Sequence, residues 1–267
     1  MLGKLFKYDF KEMGLILVPI YLLYVGIMAA FMVLLILARS SQIVEENTLF
    51  GLLFGIVSLV AFLSMGLILV VGSLAIVYHF YRKFVTEEAY FTLTLPAKPW
   101  EHIASKLMAN VVWQIITWAV FAVSVFVALF ASGLLDVLAN SNLFGLALPQ
   151  LQIAWAETVK ELNLTTGTFV LWVIYVILSI ITGPLIYFAS ISVGQMAGKH
   201  KILASIGAFI LINMLTAFVL GTIVSGNMNL YLSATGSLVV TIVESLVMSV
   251  IYFLITTSFL SHNLNLQ

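Results

Sequence analysis

Six long apolar runs, separated by polar stretches, organise the chain at about Gly14–Ala38, Leu49–Tyr78, Leu107–Ser132, Phe169–Met196, Ile202–Ser225 and Ser237–Leu260. Each exceeds the roughly 18 consecutive apolar residues that distinguish a membrane-crossing helix from a buried soluble one. The pattern predicts an all-α membrane protein with six transmembrane helices. The second and fourth runs are longer than a bilayer requires, so they tilt, kink or extend beyond it. Pro19 and the Gly183-Pro184 pair offer the first and fourth spans a place to bend, because proline removes a backbone donor. The first run is too long for a signal-peptide core and is expected to remain as a mature helix. Composition closes the soluble alternative: 63% of the 267 residues are hydrophobic and 8% are charged, against roughly 25% charged in an ordinary globular domain.

Charge sets the orientation. Nine of the eleven Lys and Arg residues lie before the first span (Lys4, Lys7, Lys11), between the second and third (Arg82, Lys83, Lys98, Lys106) or between the fourth and fifth (Lys199, Lys201). Cytoplasmic loops hold such an excess, so both termini are expected in the cytoplasm. Arg39 and Lys160 are left for the other side. There Gly133–Thr168, with Asp136, Glu157 and Glu161, forms a long outside loop in which Trp155–Leu162 suits a short surface helix and Asn163-Leu164-Thr165 matches a glycosylation acceptor. The net charge of zero removes the basic balance of a nucleic-acid binder. The absence of cysteine removes disulfides, thiolate metal sites and cysteine nucleophiles. The chain reads as one membrane domain. Its halves, 1–133 and 134–267, carry three spans each in opposite orientation, as an inverted repeat would, but share no motif.

Two segments outside the spans have patterns of their own. In the first thirteen residues Leu2, Leu5, Phe6, Phe10 and Met13 gather on one helical face and Lys4, Lys7 and Lys11 on the other. Such a helix lies in the membrane interface. Asp9 falls on the apolar arc, where a carboxylate is costly unless it reaches water or a partner. Two readings are open: it snorkels to solvent, or it contacts a partner subunit. The stretch from His79 to Lys106 is far longer than a simple helix connection, with Pro96 and Pro99 ending one unit, and Pro99 and Glu101 suiting the first turn of the next helix. It is either an interfacial re-entry or a cytoplasmic knob for a soluble partner.

The order of a basic amphipathic start, two spans, "TEEAYFTLTLPAKPWEHIASKL" from Thr86 to Leu107, and four further spans resembles the six-span permease subunits of type-2 ATP-binding-cassette exporters, especially those of Gram-positive bacteria. The resemblance covers nearly the whole chain. It implies that residues 1–13, with Lys4, Lys7 and Lys11, are an interfacial elbow helix. It also implies a cytoplasmic coupling helix between spans two and three, with Glu87, Glu88, Tyr90 and Phe91 touching a separate ATPase subunit. ATP and magnesium would then be held by that partner and not by this chain. A second permease subunit, identical or sister, would complete the path, and the location would be a bacterial cytoplasmic membrane. The family's inward-dipping helices between spans five and six have only about Gly226–Gly236 to occupy here.

Catalytic chemistry is missing from the sequence. Gly194-Gln-Met-Ala-Gly198-Lys199-His200 falls short of a phosphate loop by one residue between its glycines and by the hydroxyl that would hold magnesium. Glu87-Glu88 lacks the arginine of the intramembrane prenyl-protein protease pattern, position 92 being Thr. His79, His102, His200 and His262 lack ligand spacing and read as ordinary interfacial residues. Gly51 and Gly55 have the spacing for close helix approach. Glu244 is the only formal charge well inside a span. It faces the bundle, hydrogen-bonding a neighbour such as Asn213 or Gln114, or it lines a translocation path. The expected function is export of a hydrophobic or amphipathic substrate, a membrane-active peptide or a lipid, driven by ATP hydrolysis on the partner. The alternative is an ATP-independent secondary carrier with Glu244 as its proton site.

Overall fold

A computed structural model of the chain describes residues 1–40, 48–85, 97–131, 166–197, 200–226 and 234–262. These form six helices: α1 (Leu2–Ser40), α2 (Thr48–Val85), α3 (Pro99–Ala131), α4 (Thr166–Gly194), α5 (Lys201–Gly226) and α6 (Ala234–His262), with no strand among the described residues. All six are long and apolar enough to cross a membrane. The chain is an all-α, multi-pass membrane protein.

The first three helices outrun the bilayer. At 1.5 Å per residue α1, α2 and α3 are about 50–60 Å long, where the hydrocarbon core needs about 30 Å. Their surplus turns hold the charges: Lys4, Lys7 and Lys11 in α1, Arg82 and Lys83 in α2, Glu101 and Lys106 in α3. The interfacial segment expected at residues 1–13 is therefore not a separate element but the opening turns of α1, which runs unbroken for 39 residues. No proline or turn dipeptide separates Met13 from Gly14, and one glycine inside a helix costs only about 1 kcal/mol. The amphipathic division itself is present. Lys4, Lys7 and Lys11 are exposed, Met13 is buried, and the Phe6 and Phe10 rings stack. Pro19 and Pro184 are both accommodated inside continuous helices.

The start of α3 follows from its sequence. Pro99 occupies the first helical position, where its missing N–H costs nothing. The Lys98 carbonyl accepts from the Glu101 and His102 amides, and the Glu101 carboxylate reaches back to accept from the Lys98 N–H at 3.0 Å. This is the reciprocal half of a capping box.

Packing divides into two compact units. One comprises Met1–Phe10, Ile76–Val111 and the helices α4 to α6. Within it α4 packs against both α5 and α6. The Thr182 hydroxyl lies within hydrogen-bond reach of the Leu178 carbonyl of its own helix and of the Ser245 carbonyl of α6, and Tyr187 stacks on Phe209 of α5. Gly194 closes α4 against Ser205, whose backbone leaves no room for a Cβ. The other unit takes in Lys11–Ala75 and the described residues from Val112 onward in α3. Here Tyr21 hydrogen-bonds Thr117 at 2.6 Å and Tyr24 hydrogen-bonds Ser124. Thr117 and Ser124 each commit their single proton to a carbonyl of their own helix, at Trp113 and Phe121. The tyrosines are therefore the donors across the helix pair. Gly14 lies against the Trp113 ring, which a Cβ there would approach to 2.9 Å.

Candidate functional site

Two sites emerge, both inside the first unit. The first surrounds Asp9. On the apolar arc of its helix, Asp9 is only 6% exposed, and a carboxylate so placed must find a cation or donors. It finds both on α3: Lys106 Nζ lies 2.8 Å from Oδ1, and Ser105 Oγ donates to Oδ2 at 2.6 Å. The Nε2 atom of His79, near the end of α2, stands 3.8 Å from Oδ1. Lys106, Ser105 and His79 are all buried. Asp9 therefore does not snorkel to solvent: its carboxylate is buried against Lys106, Ser105 and His79 of the chain's own helices.

Lys106 has a second contact. Its ammonium lies over the Phe84 ring, 5.2 Å from the centroid, a cation–π geometry. Phe84 packs on Phe80 at 4.8 Å, and Phe80 stacks on Phe188 of α4 at 4.1 Å. Asp9, Lys106, Phe84, Phe80 and Phe188 form one continuous series of contacts through α1, α3, α2 and α4. Two histidines taken from the sequence as interfacial are core residues: His79 beside Asp9, and His102, whose ring nitrogens have no hydrogen-bond partner among the described residues. The sequence carried a signal for the cluster in Asp9's position on an apolar arc, but nothing that named Lys106 as the answer.

The residues expected to contact an ATPase, Glu87, Glu88, Tyr90 and Phe91, lie outside the described residues, as do the Trp155–Leu162 stretch, Asn163 and most of the Gly226–Gly236 connection. Their flanks are described. Phe84 and Lys106, close before and after that segment, touch each other.

The second site is Glu244. It is partly buried and lines a groove of about 320 Å³ between α5 and α6. The other walls are Val219 of α5 and Val239, Val240, Val243, Val247 and Met248 of α6. Glu244 has no hydrogen bond or ion pair among the described residues. Of the hydrogen-bonding neighbours considered for it, Asn213 donates instead to the Phe209 carbonyl of its own helix. Gly55, considered for close helix approach, has open space where a Cβ would stand. Among the described residues, close approach is found at Gly14 and Gly194 and, less tightly, at Gly72 against Thr117.

No protein-family model, curated protein or solved structure matches this chain.

Proposed function

We propose that the chain is the membrane-spanning permease subunit of an ATP-driven exporter. It pairs with a second permease subunit in a bacterial cytoplasmic membrane, with both termini in the cytoplasm. Separate ATPase subunits dock on the segment between α2 and α3, through Glu87, Glu88, Tyr90 and Phe91. The cargo is hydrophobic or amphipathic, in keeping with the composition of the spans.

The observation that carries this reading is the bracing around that segment. Phe84 before it and Lys106 after it are in contact, Lys106 is pinned to α1 through Asp9, and Phe80 passes the packing on to α4. A displacement imposed on a loop held at both roots by buried contacts moves helices; on slack roots it would be absorbed locally. Close-packed contacts shift between discrete arrangements instead of deforming continuously, and nucleotide can bias such a pair of arrangements only through differential affinity.

The test is reconstitution. The chain should co-purify with an ATPase subunit and raise its ATP turnover in lipid vesicles. The double change Glu87→Lys, Glu88→Lys should cut that stimulation at least fivefold while the protein stays folded. Full stimulation in the double variant rejects the docking role. Transport by the chain alone, driven by a proton gradient, would support the carrier alternative instead.

A further inference from the structure

We infer that the groove between α5 and α6 is a binding site for a small lipophilic cation, a single-chain or aryl amine, whose charged head pairs with Glu244. The inference deepens the permease reading by naming a cargo class, but it is argued from the groove alone.

Glu244 lies ten residues into α6 from Ala234, about 15 Å along the axis at 1.5 Å per residue. That is about half the thickness of a hydrocarbon core. A carboxylate at such depth costs about 2.5–3.5 kcal/mol on insertion scales. Proteins normally offset this with a partner from a neighbouring helix, and here none is present among the described residues. The side chain faces instead an open groove, most of whose valines are themselves exposed. The α6 residues of the lining, Val239, Val240, Val243, Glu244, Val247 and Met248, recur at intervals of one and three or four, so they share one face of the helix. Five of the seven lining residues are valine. Their short, χ1-restricted side chains make a stiff wall that does not fold in to fill the space.

The chemistry of the occupant follows. Walls of valine and methionine accept a hydrocarbon body and offer no hydrogen bonds to a sugar or nucleotide. The one polar group is a carboxyl, which in its ionised form is an acceptor that selects a cation with N–H donors. The volume of about 320 Å³ stands at the small end of the 300–1,000 Å³ range of ligand pockets. It suits an alkyl or aryl amine and is too small for a folded peptide. Each charge alone is costly in the bilayer; brought together they neutralise, and the low dielectric that penalises either one strengthens the pair.

Binding is measured on the full chain in phosphatidylcholine nanodiscs with tritiated dodecylamine as probe, its uncharged N-acetyl derivative as comparison, and protein-free discs as background. The amine should bind saturably, one per chain, at least tenfold tighter than the amide. Glu244→Gln should bring the amine down to the level of the amide, and Val247→Trp, which fills the groove, should weaken both. Equal binding of amine and amide, or an unchanged amine affinity in either variant, overturns the proposal. So does displacement of the amine by phosphatidylethanolamine, which would give the groove to a lipid headgroup. Loss of self-association in Glu244→Gln with amine binding intact would give the groove to a second copy of the chain and overturn the proposal as well. Because the readout is binding, a chain that takes the amine yet fails to stimulate any ATPase would sink the permease reading and leave this one standing.

Discussion

A buried ion pair is weak evidence for stability by itself, since removing two charges from water costs nearly what their attraction returns. Breaking one is another matter. Asp9→Ala would take the contacting carboxylate away from the buried Lys106 ammonium, and such losses typically cost about 3–5 kcal/mol. The expected result is a large fall in the apparent unfolding temperature of the detergent-purified protein. The double change Asp9→Leu, Lys106→Met should recover more than half of that fall, because no charge is then left unpaired. If the double variant is as unstable as the single one, the pair is not what holds these helix roots. The need for a partner was legible in the sequence, as a carboxylate on an apolar arc. The identity of that partner was not, because Lys106 is 97 positions away and helical periodicity relates only residues a few turns apart. Glu244 was legible in the same limited sense: its depth marked it, while the absence of a partner among the described residues and the valine groove are facts of packing.

At the scale of elements, hydropathy located all six helices because a bilayer imposes a length and an apolar composition that few other environments demand. It missed how far the helices continue past the membrane. The polar turns of α1 and α3 carry ordinary helix formers, and only capping signals such as Pro99 with Glu101 mark a true start. Glycines show the same divide. Gly194 stood out in the sequence as part of an imperfect phosphate loop, yet its place at the end of α4 is explained by the backbone of Ser205 lying against it. Gly194→Ala should therefore cost about 1–3 kcal/mol through overpacking. Gly207→Ala, in α5 with open space around its Cβ position, should be neutral or stabilising by up to about 1 kcal/mol from helix propensity. Thermal unfolding of the two variants side by side makes the comparison. Equal effects would mean that the α4–α5 approach is not the reason for the glycine.

For the whole molecule, the permease reading requires that the ends of α1, α2 and α3 gathered around Asp9, and the turn from α4 to α5, share the cytoplasmic side. The lysine and arginine distribution supports this, since Lys7, Lys98 and Lys201 belong to the basic segments and Lys160 to the sparse opposite side. The chain contains no cysteine, so single cysteines can be placed without background. In right-side-out vesicles a membrane-impermeant maleimide should label Lys160→Cys and leave Lys7→Cys, Lys98→Cys and Lys201→Cys untouched; in inverted vesicles the pattern should reverse. An ATPase that draws on cellular ATP can reach the segment between α2 and α3 only from the side where Lys98→Cys reacts in inverted vesicles. Labelling of Lys98→Cys from the outside would put the braced roots of α2 and α3 beyond reach of any such subunit, and the contacts through Asp9, Lys106 and Phe84 would then have to serve some other end.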